Sequence, residues 1–313
     1  MKAFRFQPAS FSWVAMHPNP KGVVQFIGGA FFGSLPTIFY RYLLRKIFEA
    51  GYTIVALPFR FTFRHWPVAI SLLREQAVLE NELPLIAKRL NYQYDIYYDK
   101  KKYFWLGHSL GCKYITLLEF FSGDNWKKIL QDCAQEDSQG QLKRIAESIA
   151  NIPDKHRDIK GQPSLLLAPD ISDTDSAVPQ PLAALLDRFK LGVMPTRQQT
   201  QCFVNESNLF NLSALISFDN DKIAGNATNP KNDVFWFIQQ LQQRKFPLLH
   251  QELPNNVPDR HCKHLEPLGS QIGNYIVDLN PFDKFIAPLK HRQLESFVIL
   301  FLEKLQRREE ELS

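Results

Sequence analysis

Short unbroken apolar runs alternate, early in the chain, with stretches in which apolar residues recur at three- and four-residue steps. Val23 to Ile27 is the first strong run, and it ends at Gly28-Gly29. Tyr52 to Leu57 stops at Pro58, and Tyr103 to Leu106 stops at Gly107. Runs of this length, bounded by Gly and Pro, read as strands buried on both faces. Phe11 to Met16, closed by the turn His17-Pro18-Asn19-Pro20, reads as an opening edge strand. Between the runs, Pro36 opens a helix with Phe39, Leu43 and Ile47 on one face, and Gly51 caps it. Arg60 to Trp66 reads as an aromatic and basic loop. A long helix follows from about Val68 to Leu90, and Pro84 within it is expected to kink or split it. Lys113 to Phe121 is helical again. Strand and helix in regular alternation imply right-handed crossovers and a mostly parallel sheet covered on both faces: an α/β fold.

The pattern loosens after that. Residues 122–162 turn polar, with two weak helical patterns near Trp126 to Cys133 and Leu142 to Ile149, and read as a surface insertion. Ser164 to Ala168 is a buried strand closed by Pro169-Asp170. Pro179 to Val193 carries Leu182, Leu185, Leu186 and Phe189 on one side, either packed on the core or part of a lid segment at about 171–208. Strands are expected at Leu209 to Phe218 and Phe246 to Leu253, and helices at Val234 to Arg244 and Leu289 to Leu305. Without repeats or low-complexity linkers, residues 1–313 read as a single domain with insertions.

Composition narrows the class. Of 313 residues, 45% are hydrophobic and 22% charged, the balance of a soluble globular chain. The net charge of +5 is spread out, with no basic block, so no nucleic-acid partner is expected. Peripheral contact with an anionic membrane surface stays open, as does the oligomeric state. No run of eighteen apolar residues and no signal-peptide core is present, so a cytoplasmic location is expected. The four cysteines, Cys112, Cys133, Cys202 and Cys262, show no paired spacing and read as free thiols of a reducing compartment. His261-Cys262-Lys263-His264 lacks a second ligand pair, so neither a metal nor another cofactor is expected.

The candidate chemistry centres on Gly107-His108-Ser109-Leu110-Gly111, a G-x-S-x-G pattern between a strand and a helix. Such a turn presents its serine in strained backbone at the N-terminus of a helix, where N–H groups face any developing negative charge. A serine hydroxyl attacks carbonyls only when a base takes its proton and a third group orients that base. His264 is the favoured base, with His261 as the alternative. Asp221, after the strand ending at Phe218, is the favoured acid, with Asp219 and Asp170 as alternatives. An oxyanion hole would combine the N–H of Leu110 with that of Gly29 or Ala30 in the loop Gly28 to Gly33. Phe31, Phe32, Phe61, Phe63 and Trp66 fall in loops at the same sheet edge, and His108 reads as structural or pocket-lining. If the aromatics line a cleft, the small-molecule substrate has an apolar part.

The chain order Ser, Asp, His and the motif setting resemble the α/β-hydrolase superfamily over nearly the whole chain. More narrowly, FIGGAFFGSLPTIFYRYLL, GYTIVALPFRFTFRHW and GHSLGC resemble a family of cyanobacterial and plastid proteins of unknown function. Leu253-Pro254 and His264-Leu265-Glu266-Pro267 are similar to that family's late loop, with Asn255 to Lys263 as extra length. The resemblance implies the α/β-hydrolase fold and leaves the substrate open. A serine hydrolase of esterase, lipase or thioesterase type is the expectation. Its competitors are a catalytically silent binding or scaffold protein and a non-hydrolytic acyltransferase on the same fold.

Overall fold

The computed structural model describes residues 3–134, 139–173, 192–254, 263–278 and 285–311. Eight strands form one sheet: β1 (Gln7–Ala9), β2 (Ser12–Ala15), β3 (Gly22–Ile27), β4 (Tyr52–Ala56), β5 (Tyr103–His108), β6 (Ser164–Leu167), β7 (Ser213–Phe218) and β8 (Leu249–Leu253). Their order across the sheet is β1-β2-β4-β3-β5-β6-β7-β8. The pairs β1–β2 and β2–β4 are antiparallel; every other neighbouring pair is parallel. Every residue of β3, β4, β5, β6 and β7 is buried, as expected for a parallel sheet covered on both faces.

Helices α1 (Arg41–Glu49), α2 (His65–Arg89), α3 (Leu110–Phe121), α4 (Trp126–Asp132), α5 (Gln139–Ala150), α6 (Arg197–Glu206), α7 (Asp233–Leu241) and α8 (Leu294–Glu310) supply the flanking layers. All twelve residues of α3 are buried, which makes this helix the centre of the fold. The antiparallel edge is held by a charge. Glu75 on α2 accepts from Ser10 Oγ (2.9 Å), Phe11 N (3.0 Å) and Ser12 Oγ (2.7 Å), binding the β1–β2 hairpin to the helix.

The structure departs from the expected elements at several points. Helix α2 begins at His65, so Trp66 lies in its first turn and not in a loop, and the helix runs through Pro84 unsplit. A proline removes one backbone donor, and here buried Leu79, Leu83, Ile86 and Ala87 on either side hold the segment against the core. Cys133 and Cys202 are not free thiols; they form a disulfide with Cα atoms 5.8 Å apart. The fold brings the end of α4 beside α6 across 69 residues, a proximity that spacing along the chain does not reveal. Beyond the late loop lies a small antiparallel sheet of β9 (Ser270–Ile272), β10 (Tyr275–Val277) and β11 (Ile286–Pro288). Its strands are too short to leave a readable alternation. Finally, the last helix starts at Leu294, after a separate 3-10 turn at Leu289–His291. Most of the expected lid segment, and His261 and Cys262, lie outside the described residues. No helix among the described residues is long and apolar enough to cross a membrane.

Candidate active site

Strand β5 ends at His108 and helix α3 begins at Leu110, leaving Ser109 in the turn at φ 53°, ψ −121°. That left-handed conformation is strained for a residue with a side chain. Backbone bonds on both sides hold it: Ser109 N–H donates to Leu167 O (3.0 Å), and Ser109 O accepts from Cys112 N (2.9 Å). The turn closes because its flanking residues lack Cβ atoms. A Cβ at Gly107 would stand 2.7 Å from Ile115 Cδ1, and one at Gly111 would meet the carbonyl oxygens of Ile27 and Gly28. The obstacle at Gly111 is β3 backbone, which cannot rotate aside. Gly111→Ala is therefore expected to cost at least about 3 kcal/mol of stability. Urea denaturation followed by circular dichroism measures this; a cost below about 1 kcal/mol would mean the turn can widen.

Three loops at the carboxyl ends of strands bring the candidate side chains together. His264 Nε2 lies 2.8 Å from Ser109 Oγ, and His264 Nδ1 lies 2.7 Å from Asp221 Oδ2. A carboxylate only accepts, so Nδ1 carries the imidazole proton and Nε2 presents its lone pair to the serine hydroxyl. Asp221 follows β7 and is aimed by its own turn. Its Oδ1 accepts from Ile223 N (2.8 Å) and Ala224 N (3.0 Å), leaving Oδ2 for the imidazole. All three residues are buried. Burial alone would lower the His264 pKa. The Asp221 charge and hydrogen bond, with the Asp170 charge, outweigh it, and the net shift is upward from the ordinary histidine value.

The two alternative acids sit elsewhere. Asp219 is exposed at the end of β7, where its N–H donates to Leu253 O (3.1 Å). Asp170 follows β6 and turns its Oδ1 onto Ser172, from whose N–H it accepts at 3.0 Å. It lines the cleft, and its N–H donates to Ser109 O at 3.4 Å.

The oxyanion candidates separate on hydrogen bonding. Gly29 N–H donates to Tyr40 Oη at 2.7 Å, so it is not available to a substrate. The N–H groups of Ala30 and Leu110 bond to no described residue, and both residues line the cleft. That cleft, about 70 Å³, is completed by Phe61, Phe63, His65, Val193, Asp170, Ser172 and Asp173. Phe31 is exposed and packs on Phe61 with ring centroids 4.5 Å apart, placing it at the rim. Phe32 instead packs edge-on against Phe39 (5.1 Å), and Trp66 is buried against Phe121 and Phe203 (5.5 Å each). His108 is enclosed: Nδ1 lies 2.8 Å from Tyr40 Oη and Nε2 lies 2.8 Å from His264 O.

Two buried groups near the site carry no distinguishing mark in the sequence. Tyr40 belongs to no motif in the sequence. Lys113, on the completely buried α3, donates to Ile171 O at 3.4 Å. Burial pushes its ammonium down to about 8 against the pull of Asp173, Asp170 and Asp233. Asp233 in turn is raised to about 7, by burial and by Asp170, although Arg197 stands 2.6 Å away.

No curated protein matches the chain. Among solved structures it is similar to a carboxylesterase from Lactobacillus plantarum (12% identity, 96% of each chain covered, TM-score 0.52). It is also similar to a sugar hydrolase from Lactococcus lactis (12% identity, 97% of this chain and 98% of that one, TM-score 0.51). At such identity the likeness is one of fold, and together with the strand order it gives the α/β-hydrolase fold. One family profile, for proteins of unknown function, matches residues 5–292, and the chain belongs to that family, DUF1350.

Proposed function

We propose that the protein is a serine hydrolase that cleaves carboxylic esters or thioesters by acyl transfer. The observation that carries this reading is the unbroken hydrogen-bond chain from Ser109 Oγ through His264 to Asp221. Ser109 Oγ attacks the substrate carbonyl carbon while His264 Nε2 takes the hydroxyl proton, and Asp221 stabilises the resulting imidazolium. Charge on the carbonyl oxygen is met by the N–H groups of Ala30 and Leu110, the second at the N-terminus of α3. His264 then returns its proton to the leaving alcohol or thiol, and an acyl group stays on Ser109. A water, deprotonated by the same imidazole, attacks this acyl carbon; His264 returns that proton to Ser109 Oγ, and the carboxylic acid leaves and ionises in solvent.

The cleft runs beside Ala30 and Leu110, the two proposed oxyanion donors. Phe61, Phe63 and Val193 make its apolar wall. Fluorophosphonate labelling tests the reading. The probe is expected to attach to Ser109, found by peptide mass spectrometry, and Ser109→Ala is expected to abolish attachment. If folded wild-type protein stays unlabelled, or the alanine variant labels equally, the serine is not a nucleophile.

A further inference from the structure

We infer that Tyr40 and His108 are positioning residues, a buried hydrogen-bonded strut that fixes the oxyanion loop and the histidine loop against the elbow. The inference rests on the hydrolase reading above. Both residues are almost fully buried and their polar side-chain atoms are bonded within the protein, so any effect on the reaction passes through their neighbours.

The direction of each hydrogen bond follows from what each atom can do. The His264 carbonyl oxygen can only accept, so His108 Nε2 carries a proton toward it (2.8 Å). A neutral imidazole protonated there has a lone pair at Nδ1, and the Tyr40 hydroxyl donates into it (2.8 Å). The Tyr40 oxygen is then the acceptor for Gly29 N–H (2.7 Å). Burial and the neighbouring His264 hold His108 well below the ordinary histidine range, which keeps it in this neutral form. One arrangement of protons satisfies all three contacts.

Each end of the strut meets a loop used in the proposed reaction. At one end is the backbone of His264 itself. At the other is Gly29, whose N–H is held by Tyr40 and whose C=O accepts from Gly33 N–H (2.6 Å). The Ala30 N–H shares its planar peptide with that Gly29 carbonyl and points the opposite way. Fixing the residue-29 carbonyl therefore aims the Ala30 donor. The seating is close: a Cβ on Gly29 would lie 3.1 Å from His108 Nδ1, 3.2 Å from Ser109 Cβ and 3.3 Å from Tyr40 Oη. Without the Tyr40 hydroxyl, a buried N–H and a buried ring nitrogen lose their partner together.

The experiment compares wild type, Tyr40→Phe, His108→Leu and the double variant on a short-chain activated ester. Competent sites are counted by fluorophosphonate titration, so that kcat is expressed per labelled serine. Tyr40→Phe is expected to lower that kcat about 10- to 100-fold, short of the 10²–10³ lost when an oxyanion donor is deleted outright. KM should change less than about twofold, and the double variant should lose little more than the worse single one. A purely structural role would lower the melting temperature and the labelled fraction while kcat per labelled site stayed at the wild-type value. That result, or singles whose effects multiply, overturns the inference. The His108 tautomer, read by nitrogen-15 NMR on unaltered protein, needs neither a variant nor turnover. Nε2–H is expected, and Nδ1–H overturns the strut whatever the labelling shows. Absence of labelling in wild type, by contrast, removes the hydrolase reading and leaves the tautomer result standing.

Discussion

Replacing His264 by alanine is expected to lower kcat about a million-fold while the fold persists. The reason lies in what remains near Ser109. Among the described residues, the imidazole ring packed on His264 is that of His108, with centroids 5.0 Å apart. Both its nitrogens are occupied, one by the Tyr40 hydroxyl and one by the residue-264 carbonyl, so it has no lone pair to offer the serine. The carbonyl at residue 264 survives the substitution, which keeps the acceptor for His108 and much of the loop's anchorage. Residual turnover would come from the oxyanion donors and from binding alone. Steady-state kinetics on an activated ester, with melting temperature as the control, measures the loss. A fall of less than about a hundredfold would mean that another base serves Ser109.

Asp221→Asn is expected to cost about 10⁴ in kcat, with a much smaller effect on stability. The amide oxygen of asparagine can go on accepting from the N–H groups of Ile223 and Ala224, which now donate to Asp221 Oδ1. The amide nitrogen then faces His264 Nδ1 and donates to it. That reverses the tautomer, so Nε2 acquires the proton and no longer accepts from Ser109. The pH dependence gives an independent sign. In the proposed reaction His264 acts only when neutral, and Asp221 and Asp170 raise its pKa against the effect of burial. Wild-type kcat/KM should rise with pH through an apparent pKa above the ordinary value of about 6.5 and then level off. With Asp221 neutralised, burial dominates and the limb should move to lower pH. Profiles from acid to mildly alkaline pH for both proteins decide the matter; an unmoved limb would exclude Asp221 as the partner of His264.

Much of this arrangement is legible in the sequence because it is local or topological. The strands β3, β4 and β5 announce themselves as short apolar runs cut by Gly and Pro, and the elbow combines such a run with a helix. Ser109, Asp221 and His264 can be picked out because loops at one sheet edge must follow particular strands, and these three side chains do meet. What stays hidden depends on contacts between distant segments. Nothing in the sequence tells the N–H of Gly29 from that of Ala30; the Tyr40 hydroxyl separates them. Tyr40 belongs to no motif, and a polar tip buried for a purpose leaves the same periodicity as one buried for packing. Trp66 reads as a loop residue because the helix start at His65 lacks a side-chain cap to announce it. Pro84 suggests a kink or a split, and the helix is continuous through it because apolar contacts on either side hold the segment.

The bond between Cys133 and Cys202 makes the protein sensitive to a variable that the proposed reaction does not contain, the thiol potential of its surroundings. Closing a loop of this size removes conformational freedom from the unfolded chain, worth about 4 kcal/mol in the chain-entropy account. The same polypeptide therefore has two stabilities, one oxidised and one reduced. The difference is not confined to a remote corner. Phe203, beside Cys202 on α6, stacks on Phe120 of α3 with ring centroids 4.5 Å apart. Reduction frees one tether of a helix packed directly on the helix that begins beneath Ser109.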